Sequence, residues 1–365
     1  MWRWRSENKF FGRNKRKPTL HIILFPIFAP MTRYSDILEF PQLTTLEICA
    51  GAGGQALGLE QAGFKHIALV EIEKDYCKTL ILNRPNWNVV WADLHDFDGI
   101  PYFGKVDLLA GGVPCPPFSV AGKQLGKDDE RDLFPEAIRL AKEINPKVVM
   151  LENVRGLFDL KFEPYKQHII RSFEEIGYAV QWHLINSADF GVPQLRPRTV
   201  MIATKQDLGG FVFCPKKRMA QTVGEAIYDL MGANGWKQVE EWKNVASKVA
   251  PTLVGGSKKH GGPDLGPTRA RKAWAELGID GKGIANEAPE KDYEGMPRLT
   301  YRMAARLQGF PDDWLFFGCK TLQYRQIGNA FPPPVAKAIG ITIKQYLENG
   351  HFNSVRKEEL SQSIA

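Results

Sequence analysis

Residues 106–119 read VDLLAGGVPCPPFS, an apolar run that passes directly into two glycines and a cysteine between prolines. The apolar part, Val106 to Ala110, predicts a short buried strand. Proline fixes φ at about −65° and restricts the residue before it, so Cys115 follows this strand with little conformational freedom. Ligands of open α/β sheets bind at the carboxyl ends of the strands. We therefore interpret Cys115 as a functional thiol and not as a small buried core residue.

The sequence on both sides of this stretch alternates strand and helix patterns. The predicted strands are Leu43–Cys49, Ile67–Glu71, Asn88–Trp91, Val106–Ala110, Val148–Glu152, Val180–Asn186 and Thr199–Ala203. The predicted helices are one that ends at Gln61, then Lys74–Leu82, Leu133–Ile144, Pro164–Ile176, a helix from a Thr300 cap to Leu307, and Pro334–Leu347. Such alternation predicts an α/β fold with a doubly wound, mostly parallel sheet.

Changes of composition divide the chain into five predicted parts. Residues 1–39 form an N-terminal extension, and residues 40–203 form a catalytic and cofactor-binding domain. Residues 204–322, rich in Gly, Lys and Trp and without regular period, form a smaller irregular domain. Residues 323–350 form a C-terminal helix that returns to the first domain, and residues 351–365 form a tail. We interpret the basic and apolar leader before Met31 as a start-site artefact, because it has no clear signal-peptide cleavage site.

Charge and cysteine content exclude several classes of protein. Seven basic residues but only one acidic residue lie within the first 20, so the net charge of +7 falls to +1 from Met31 onward. A nucleic-acid surface must therefore come from local clusters of basic residues. Five scattered cysteines without C-x-x-C spacing argue against a disulfide framework or a metal site and favour a reducing compartment, the cytoplasm. No apolar run approaches the roughly 18 residues of a membrane span.

Residues 51–56, GAGGQA, fit the pattern G-x-G-x-x-G/A between a predicted strand and a helix, and Glu71 ends the next strand 20 residues after Gly51. Glycines let a ligand approach the backbone, and an acid at that strand end can accept hydrogen bonds from ribose hydroxyls. The pattern alone fits a dinucleotide or S-adenosylmethionine equally well. Asp93, at the end of the third strand, could accept a hydrogen bond from an adenine amino group.

Charged residues also end or begin other predicted strands. Glu152 ends the strand that follows the cysteine strand along the chain. Arg196 and Arg198 alternate as the chain enters a later strand, so their side chains share a face.

Several of these segments together resemble the ordered motifs of the DNA (cytosine-5)-methyltransferases. The segments are 112–115 (GVPC), 152–154 (ENV), 194–198 (QLRPR), 298–300 (RLT) with 306–311 (RLQGFP), and 328–333 (GNAFPP). The likeness spans about residues 43–340 and includes the glycine-rich turn. It implies S-adenosylmethionine as cofactor, double-stranded DNA as substrate and a target-recognition domain at residues 204–322. Two positions depart from the pattern, since Cys49 replaces a frequent Phe and Pro116 a frequent Gln.

The resemblance also assigns residues to roles. Cys115 is the nucleophile that attacks carbon 6 of cytosine, Glu152 is a protonated acid at N3, and Arg198 holds O2 while Arg196 orients the loop or the DNA. The implied cofactor-binding residues are Cys49, Ala50, Gly51, Gly53, Gly54, Glu71, Ile72, Asp93, Leu94, Pro114, Asn329 and Ala330. The implied DNA-binding residues are Ser119, Lys123, Gln124, Arg131, Gln194, Lys258, Lys259, Arg269 and Arg271.

Carbon 5 of a stacked cytosine is inaccessible, so the base must rotate out of the duplex. The polar segment 120–132, with two glycines, is the predicted loop that closes over DNA. We expect a monomer that protects DNA beside a cognate restriction endonuclease. The alternatives are a tRNA cytosine-5 methyltransferase and a non-catalytic DNA-binding relative. Intact Cys115, Glu152 and Arg198 argue against the latter, and the long basic segment after Ala203 favours DNA.

Overall fold

The computed structural model describes residues 42–114, 132–256 and 264–364, with side chains up to residue 349. Predictions about the N-terminal extension, about the loop at 120–131 and about the basic segment 257–263 lie outside the described residues.

Within the described residues, seven strands form one sheet. They are β1 (Thr44–Ile48), β2 (Lys65–Glu71), β3 (Val89–Trp91), β4 (Leu108–Gly111), β5 (Val148–Val154), β6 (Tyr178–Asn186) and β7 (Pro197–Lys205). The order is β3-β2-β1-β4-β5-β7-β6, and every pairing is parallel except those of β7, which is antiparallel to both of its neighbours. The prediction of a mostly parallel α/β sheet is confirmed.

β7 runs antiparallel to its neighbours because the connection that precedes it is short. Only residues 187–196 connect β6 to β7. A parallel connection needs a crossover of a dozen or more residues, whereas a short connection returns the chain antiparallel. As a result the beginning of β7 lies beside the end of β5, and Arg198 is opposite Val154.

The helices are α1 (Gly54–Gln61), α2 (Lys74–Asn83), α3 (Phe134–Ile144), α4 (Glu163–Glu174), α5 (Val223–Met231), α6 (Val239–Val245), α7 (Thr268–Ala275), α8 (Tyr301–Leu307), α9 (Lys320–Asn329) and α10 (Pro333–Ile364). Thr300 caps α8 as predicted, since its hydroxyl accepts a hydrogen bond from the Met303 amide. The last helix continues to Ile364, beyond the predicted end at Leu347. Helix α9 was not predicted.

Apolar layers cover both faces of the sheet. On one face α3 and α4 supply residues such as Leu140 and Phe173. On the other face α10 supplies Val335, Ile339 and Ile343, and it packs closely on α1. A Cβ added at Gly58 of α1 would lie 2.4 Å from the carbonyl oxygen of Pro333, so only glycine permits this approach.

Apolar residues of 204–322 form a cluster that also includes Ala52, Leu57, Ile327 and Ala330. Buried Trp236, Trp242, Trp274 and Trp314 lie in a single apolar cluster with parts of α5 to α9. The sequence shows no regular period there because α5 to α8 are only seven to nine residues long. Within the described part of the chain, no helix combines the length and the apolar character that a membrane crossing requires.

Candidate active site

The turn after β1 is held by backbone contacts from β2. The Gly51 amide donates a hydrogen bond to Glu71 Oε2 at 2.6 Å, and the Glu73 amide donates one to Glu71 Oε1 at 2.8 Å. The Ala50 amide donates to the Val70 carbonyl oxygen. The buried carboxyl group of Glu71 therefore holds the turn in place through hydrogen bonds. Burial raises the pKa of Glu71 because it penalises the charged carboxylate.

The glycines of this turn serve two different purposes. A Cβ at Gly53 would lie 2.8 Å from a ring carbon of Trp314, and one at Gly54 would lie 2.3 Å from the Phe331 carbonyl oxygen. These two glycines permit close packing by the C-terminal part of the chain. Gly51 has a φ of 56°. A Cβ added at Gly51 would meet no atom closer than the Cys49 carbonyl oxygen at 4.0 Å. Gly51 is the glycine that a ligand can approach.

Cys49 precedes Gly51 in a left-handed conformation with φ of 51°. This conformation is uncommon for a residue with a Cβ. Burial, together with the charge of Glu71, raises the pKa of the Cys49 thiol. A thiol with a raised pKa is a poor nucleophile, so the chemistry of this site does not come from Cys49.

A cleft joins the glycine-rich turn to the end of β5 and to the residues that follow α9. It is lined by Glu47, Cys49, Ala50, Gly51, Ala52, Gly54, Gln55, Tyr76, Gly112, Glu152, Gln326, Asn329, Ala330 and Phe331. Seven residues predicted for cofactor or catalysis therefore share one cavity: Cys49, Ala50, Gly51, Gly54, Glu152, Asn329 and Ala330. Gly53, Glu71, Ile72, Asp93, Leu94 and Pro114 lie outside this lining.

The predicted cofactor residues outside the lining have other contacts. Asp93 accepts hydrogen bonds from the amide and the imidazole of His95, and these bonds lower the pKa of the Asp93 carboxyl. Ile72 is exposed, and its carbonyl oxygen accepts a hydrogen bond from the Trp91 indole. Leu94 is buried in the core.

The sequence analysis missed Glu47, which lies in the cleft at the end of a buried strand. Glu47 is 1% exposed, and burial raises its pKa well above the usual value although the backbone of Ala56 acts in the opposite direction. Its Oε2 atom has no hydrogen-bond partner among the described residues. The sequence feature that could have revealed Glu47 is an acidic residue between the apolar Leu46 and Ile48, since charged residues are rare in buried strands.

Three further lining residues were also missed: Gln55, Tyr76 and Gln326. Burial and the charge of Glu71 raise the pKa of Tyr76 to about 12, so its hydroxyl stays protonated and can donate a hydrogen bond. Gln326 donates to the Phe317 carbonyl oxygen and pairs with the Thr79 hydroxyl. Gln55 occupies an unspecified position of the glycine-rich motif at 51–56, and no motif in the sequence pointed to Tyr76 or Gln326.

Glu152, which lines the cleft, forms a largely buried ion pair with Arg198, which lies outside the lining. Arg198 Nε lies 2.7 Å from Glu152 Oε1, and the two side chains are 12% and 13% exposed. Burial raises the pKa of Glu152 even though Arg198 and Arg196 act in the opposite direction. Glu152 can therefore carry a proton more readily than a free carboxyl, while Arg198 fixes the orientation of the carboxyl group.

Asn153 connects this pair to the segment before Cys115. Its side-chain amide donates a hydrogen bond to the Val113 carbonyl oxygen at 3.0 Å. Cys115 itself lies outside the described residues, so its position relative to Glu152 stays a prediction. Gly112 lies close to Glu152, since a Cβ added there would be 3.3 Å from Glu152 Oε2. The chain that leads to Cys115 therefore starts beside Glu152.

Arg196 lies in the interior, although the sequence placed it with the catalytic residues. Its guanidinium donates hydrogen bonds to the carbonyl oxygens of Leu253, Gly328 and Ala330 at 2.8, 2.8 and 3.1 Å. The side chain is 1% exposed. Arg196 thereby connects the start of β7 to the segment before residue 257 and to the wall of the cleft, which agrees with an orienting function.

The prediction that Gln194 contacts DNA is corrected by its position. Gln194 is fully buried; its side-chain NH₂ donates to Gln308 Oε1 at 2.6 Å, and its Oε1 accepts from the Leu253 amide at 2.9 Å. Both ends of the side chain are engaged inside the protein, so Gln194 has no surface to present to a duplex. It holds the same segment that Arg196 holds.

The remaining predicted DNA contacts fall into two groups. Arg269 is exposed on α7, and Arg271 on the same helix donates a hydrogen bond to the Thr268 hydroxyl. The others lie outside the described residues: Ser119, Lys123, Gln124, Arg131, Lys258 and Lys259.

The fold and the cleft together define a class of protein. A glycine-rich turn after the first strand, the start of the reversed seventh strand and an acid–arginine pair meet at one edge of the sheet, and they define an α/β protein with a ligand site at the carboxyl ends of its parallel strands. The model of the C-5 cytosine-specific DNA methylase family matches residues 43–345, and the chain belongs to this family. It is a C-5 cytosine-specific DNA methyltransferase.

Individual relatives agree with the family. The Type II methyltransferase M.NgoMIV of Neisseria gonorrhoeae is 57% identical over 312 residues, which cover 84% of this chain and 99% of the relative. The Type II methyltransferase M.NaeI of Lentzea aerocolonigenes is 52% identical, with 84% and 75% covered. A solved structure of a candidate DNA modification methyltransferase from an E. coli prophage superposes with a TM-score of 0.61 at 25% identity, with 84% and 99% covered.

Proposed function

We propose that this enzyme transfers a methyl group from S-adenosylmethionine to carbon 5 of a flipped-out cytosine in a specific duplex sequence, through a transient bond to Cys115. The observation that carries the proposal is that one cleft contains both the open Gly51 turn and Glu152, and that Glu152 is paired with Arg198 behind the lining. The glycine-rich turn suits a nucleotide cofactor. Glu152 and its partner Arg198 offer hydrogen-bond donors that would stabilise an electron-rich pyrimidine ring.

The residues at the first end of the cleft fit S-adenosylmethionine. The space beside Gly51 lets a ligand approach the backbone, and the Tyr76 hydroxyl is available to a ribose or an amino-acid group. The unpartnered Oε2 of Glu47 is a buried acceptor that a cationic ammonium would satisfy. When bound, S-adenosylmethionine supplies an electrophilic methyl group on a sulfonium.

Glu152 and Arg198 would hold the cytosine ring. A protonated Glu152 can donate a hydrogen bond to N3, and Arg198 can donate to O2, where negative charge develops during attack on carbon 6. Burial of the pair strengthens both interactions because water does not compete with them. The pair is assembled before substrate arrives, since the carboxyl and the guanidinium already position each other.

Cys115 would supply the covalent step. Its thiolate would bond to carbon 6, and the electron pair of the 5,6 double bond would move to make carbon 5 nucleophilic. Carbon 5 would then take the methyl group, whose bond to the sulfonium sulfur breaks and leaves a neutral thioether. A base then removes the proton from carbon 5, the double bond re-forms and the thiolate leaves. No described side chain is assigned as this base, and water can serve in that role.

The biological context follows from the relatives, both of which are named Type II methyltransferases. We propose that this enzyme likewise modifies the DNA of its own cell beside a cognate restriction endonuclease, in the cytoplasm and as a monomer. The tRNA alternative is disfavoured, because the relatives at 57% and 52% identity are modification enzymes and the family model is DNA-specific.

A single assay tests the proposed function. The full chain is incubated with S-adenosylmethionine and either plasmid DNA or tRNA, and 5-methylcytosine is mapped at base resolution. We expect methylation at one short sequence of the plasmid and none in tRNA. Methylation of tRNA alone would overturn the assignment of substrate. A 5-fluorocytosine duplex should also trap a covalent adduct through Cys115, and an active preparation without such an adduct would contradict the covalent step.

A further inference from the structure

Two walls of the cleft come from parts of the chain that are far apart in the sequence. Tyr76 lies on α2, whereas Gln326 and Asn329 lie on α9, near the C-terminal end of the chain. The contact between α2 and α9 therefore determines the width of the cleft between these side chains. A ligand that fills this space binds only when both walls keep their positions.

A closed ring of three hydrogen bonds joins α2 to α9. The Thr79 hydroxyl donates to Gln326 Oε1 at 2.6 Å, and the Gln326 side-chain NH₂ donates to the Phe317 carbonyl oxygen at 2.8 Å. The Phe317 amide completes the ring by donating to Thr79 Oγ1 at 2.9 Å. Thr79 is fully buried and Gln326 is 1% exposed, so water does not compete with these bonds.

The ring allows the Gln326 amide only one orientation. With the amide turned over, its oxygen would face the Phe317 carbonyl oxygen, and two acceptors cannot bond to each other. Loss of the Thr79 hydroxyl would leave Gln326 Oε1 buried without a donor, which is unfavourable. The side chain lines the cleft, so it could regain a donor by turning toward water in that space.

The segment before α9 has other contacts that do not involve the ring. Asn83, one turn after Thr79 on α2, donates to the Leu315 carbonyl oxygen at 2.7 Å and accepts from the Leu315 amide at 2.8 Å. The Trp314 indole donates to the Ala52 carbonyl oxygen at 3.2 Å. These bonds keep the segment on α2 and on the glycine-rich turn. The particular effect of the ring is therefore to orient the glutamine amide.

We propose that Thr79 is a positioning residue for the cofactor, because it holds the Gln326 side chain in the wall of the cleft and out of the space that S-adenosylmethionine would fill. The identity of this ligand rests on the proposed function. Thr79 does not line the cleft and acts only through Gln326. It should therefore affect the affinity for the cofactor and not the rate of the chemical step.

The test uses an isosteric change that removes only the hydroxyl. Thr79→Val is compared with Thr79→Ser, which keeps the ring, and with the matched control Thr45→Val. Thr45 is also fully buried, but its hydroxyl has no hydrogen-bond partner among the described residues. Calorimetry measures the affinity of each full-length variant for S-adenosylhomocysteine, and single-turnover kinetics at saturating S-adenosylmethionine measure the methylation rate.

Apparent affinity falls in proportion to the fraction of molecules that are competent to bind. If the amide keeps its orientation in about one tenth of Thr79→Val molecules, S-adenosylhomocysteine should bind about tenfold more weakly. The methylation rate at saturating cofactor should stay within about twofold of the wild type, because saturation restores the competent form. Thr79→Ser and Thr45→Val should bind like the wild type. Asn83→Ala should lower the melting temperature without a change in affinity, since it does not touch the ring.

A second background tests whether Thr79 acts through Gln326. In Gln326→Met the amide is absent, so the addition of Thr79→Val should not change the affinity further. This double variant replaces both partners by apolar groups and keeps the test decisive if Thr79→Val alone does not fold.

Three results would overturn the proposal: wild-type affinity in Thr79→Val, equal weakening in Asn83→Ala, or a further loss of affinity when Thr79→Val is added to Gln326→Met. A wild-type enzyme that binds no S-adenosylhomocysteine would instead refute the cofactor in the proposed function.

Discussion

Replacement of Arg196 by methionine should reduce the free energy of unfolding of the enzyme and not only its methylation rate. The guanidinium makes three hydrogen bonds of 2.8 to 3.1 Å to backbone carbonyls that belong to two separate segments. A hydrogen bond to a charged group contributes about 1.5–3 kcal/mol, so the three bonds amount to roughly 4.5–9 kcal/mol. Removal of a buried cation recovers several kcal/mol of desolvation, so the expected reduction in the free energy of unfolding is about 3 kcal/mol.

Urea denaturation followed by tryptophan fluorescence measures this reduction. The matched control is Arg269→Met, an identical change at an exposed position of α7, which should alter the free energy of unfolding by less than about 0.5 kcal/mol. If Arg196→Met unfolds like the wild type and is impaired only in DNA binding, then the guanidinium leaves its buried position to contact the duplex. That result would refute the structural reasoning.

Four further predictions concern the cleft and Cys115. Glu152→Gln should reduce the methylation rate about 10²–10⁴-fold and keep the affinity for S-adenosylhomocysteine within about twofold, as single-turnover kinetics and calorimetry would show. Because burial raises the pKa of Glu152 and its protonated form is the active one, wild-type activity should fall as pH rises through that pKa, and a flat profile would contradict this role. Cys115→Ser should abolish turnover but not cofactor binding, and substantial residual methylation would reject Cys115 as nucleophile. Gly54→Ala should lower the melting temperature by several degrees, because the new Cβ would lie 2.3 Å from the Phe331 carbonyl oxygen, whereas an unchanged melting temperature would show that the turn can move.

The fold was largely predictable because the seven strands have clear apolar patterns and lie between helices of ordinary length. The direction of β7 was not predicted, since it depends on the ten-residue connection and not on the strand itself. The short helices α5 to α7 were not predicted either, because two turns are too few to show a period. Their stability comes from buried tryptophans contributed by separate segments, and a local pattern cannot reveal such contacts.

The site was predictable where a residue's position at a strand end decides its neighbours. Glu152 and Arg198 meet because the end of β5 and the start of β7 are adjacent. Gln194 was predicted to contact DNA because a polar residue within a sequence motif is often a ligand contact. Its complete burial is evident only from the structure. Glu47 was overlooked because none of the motifs in the sequence analysis contains it, although a buried acidic residue inside a strand is unusual.

The reversal of β7 has a consequence for where the chain can vary. The chain enters β7 at the edge that holds Arg198 and leaves at the opposite edge, where the Lys205 amide bonds to the Lys147 carbonyl oxygen. The segment that follows is thus attached to the sheet far from the reacting base. Insertions or deletions just after Lys205 can therefore lengthen or reshape the segment that follows while the Glu152–Arg198 pair keeps its geometry. The chain can vary after β7 without displacing the charged side chains at the other end of that strand.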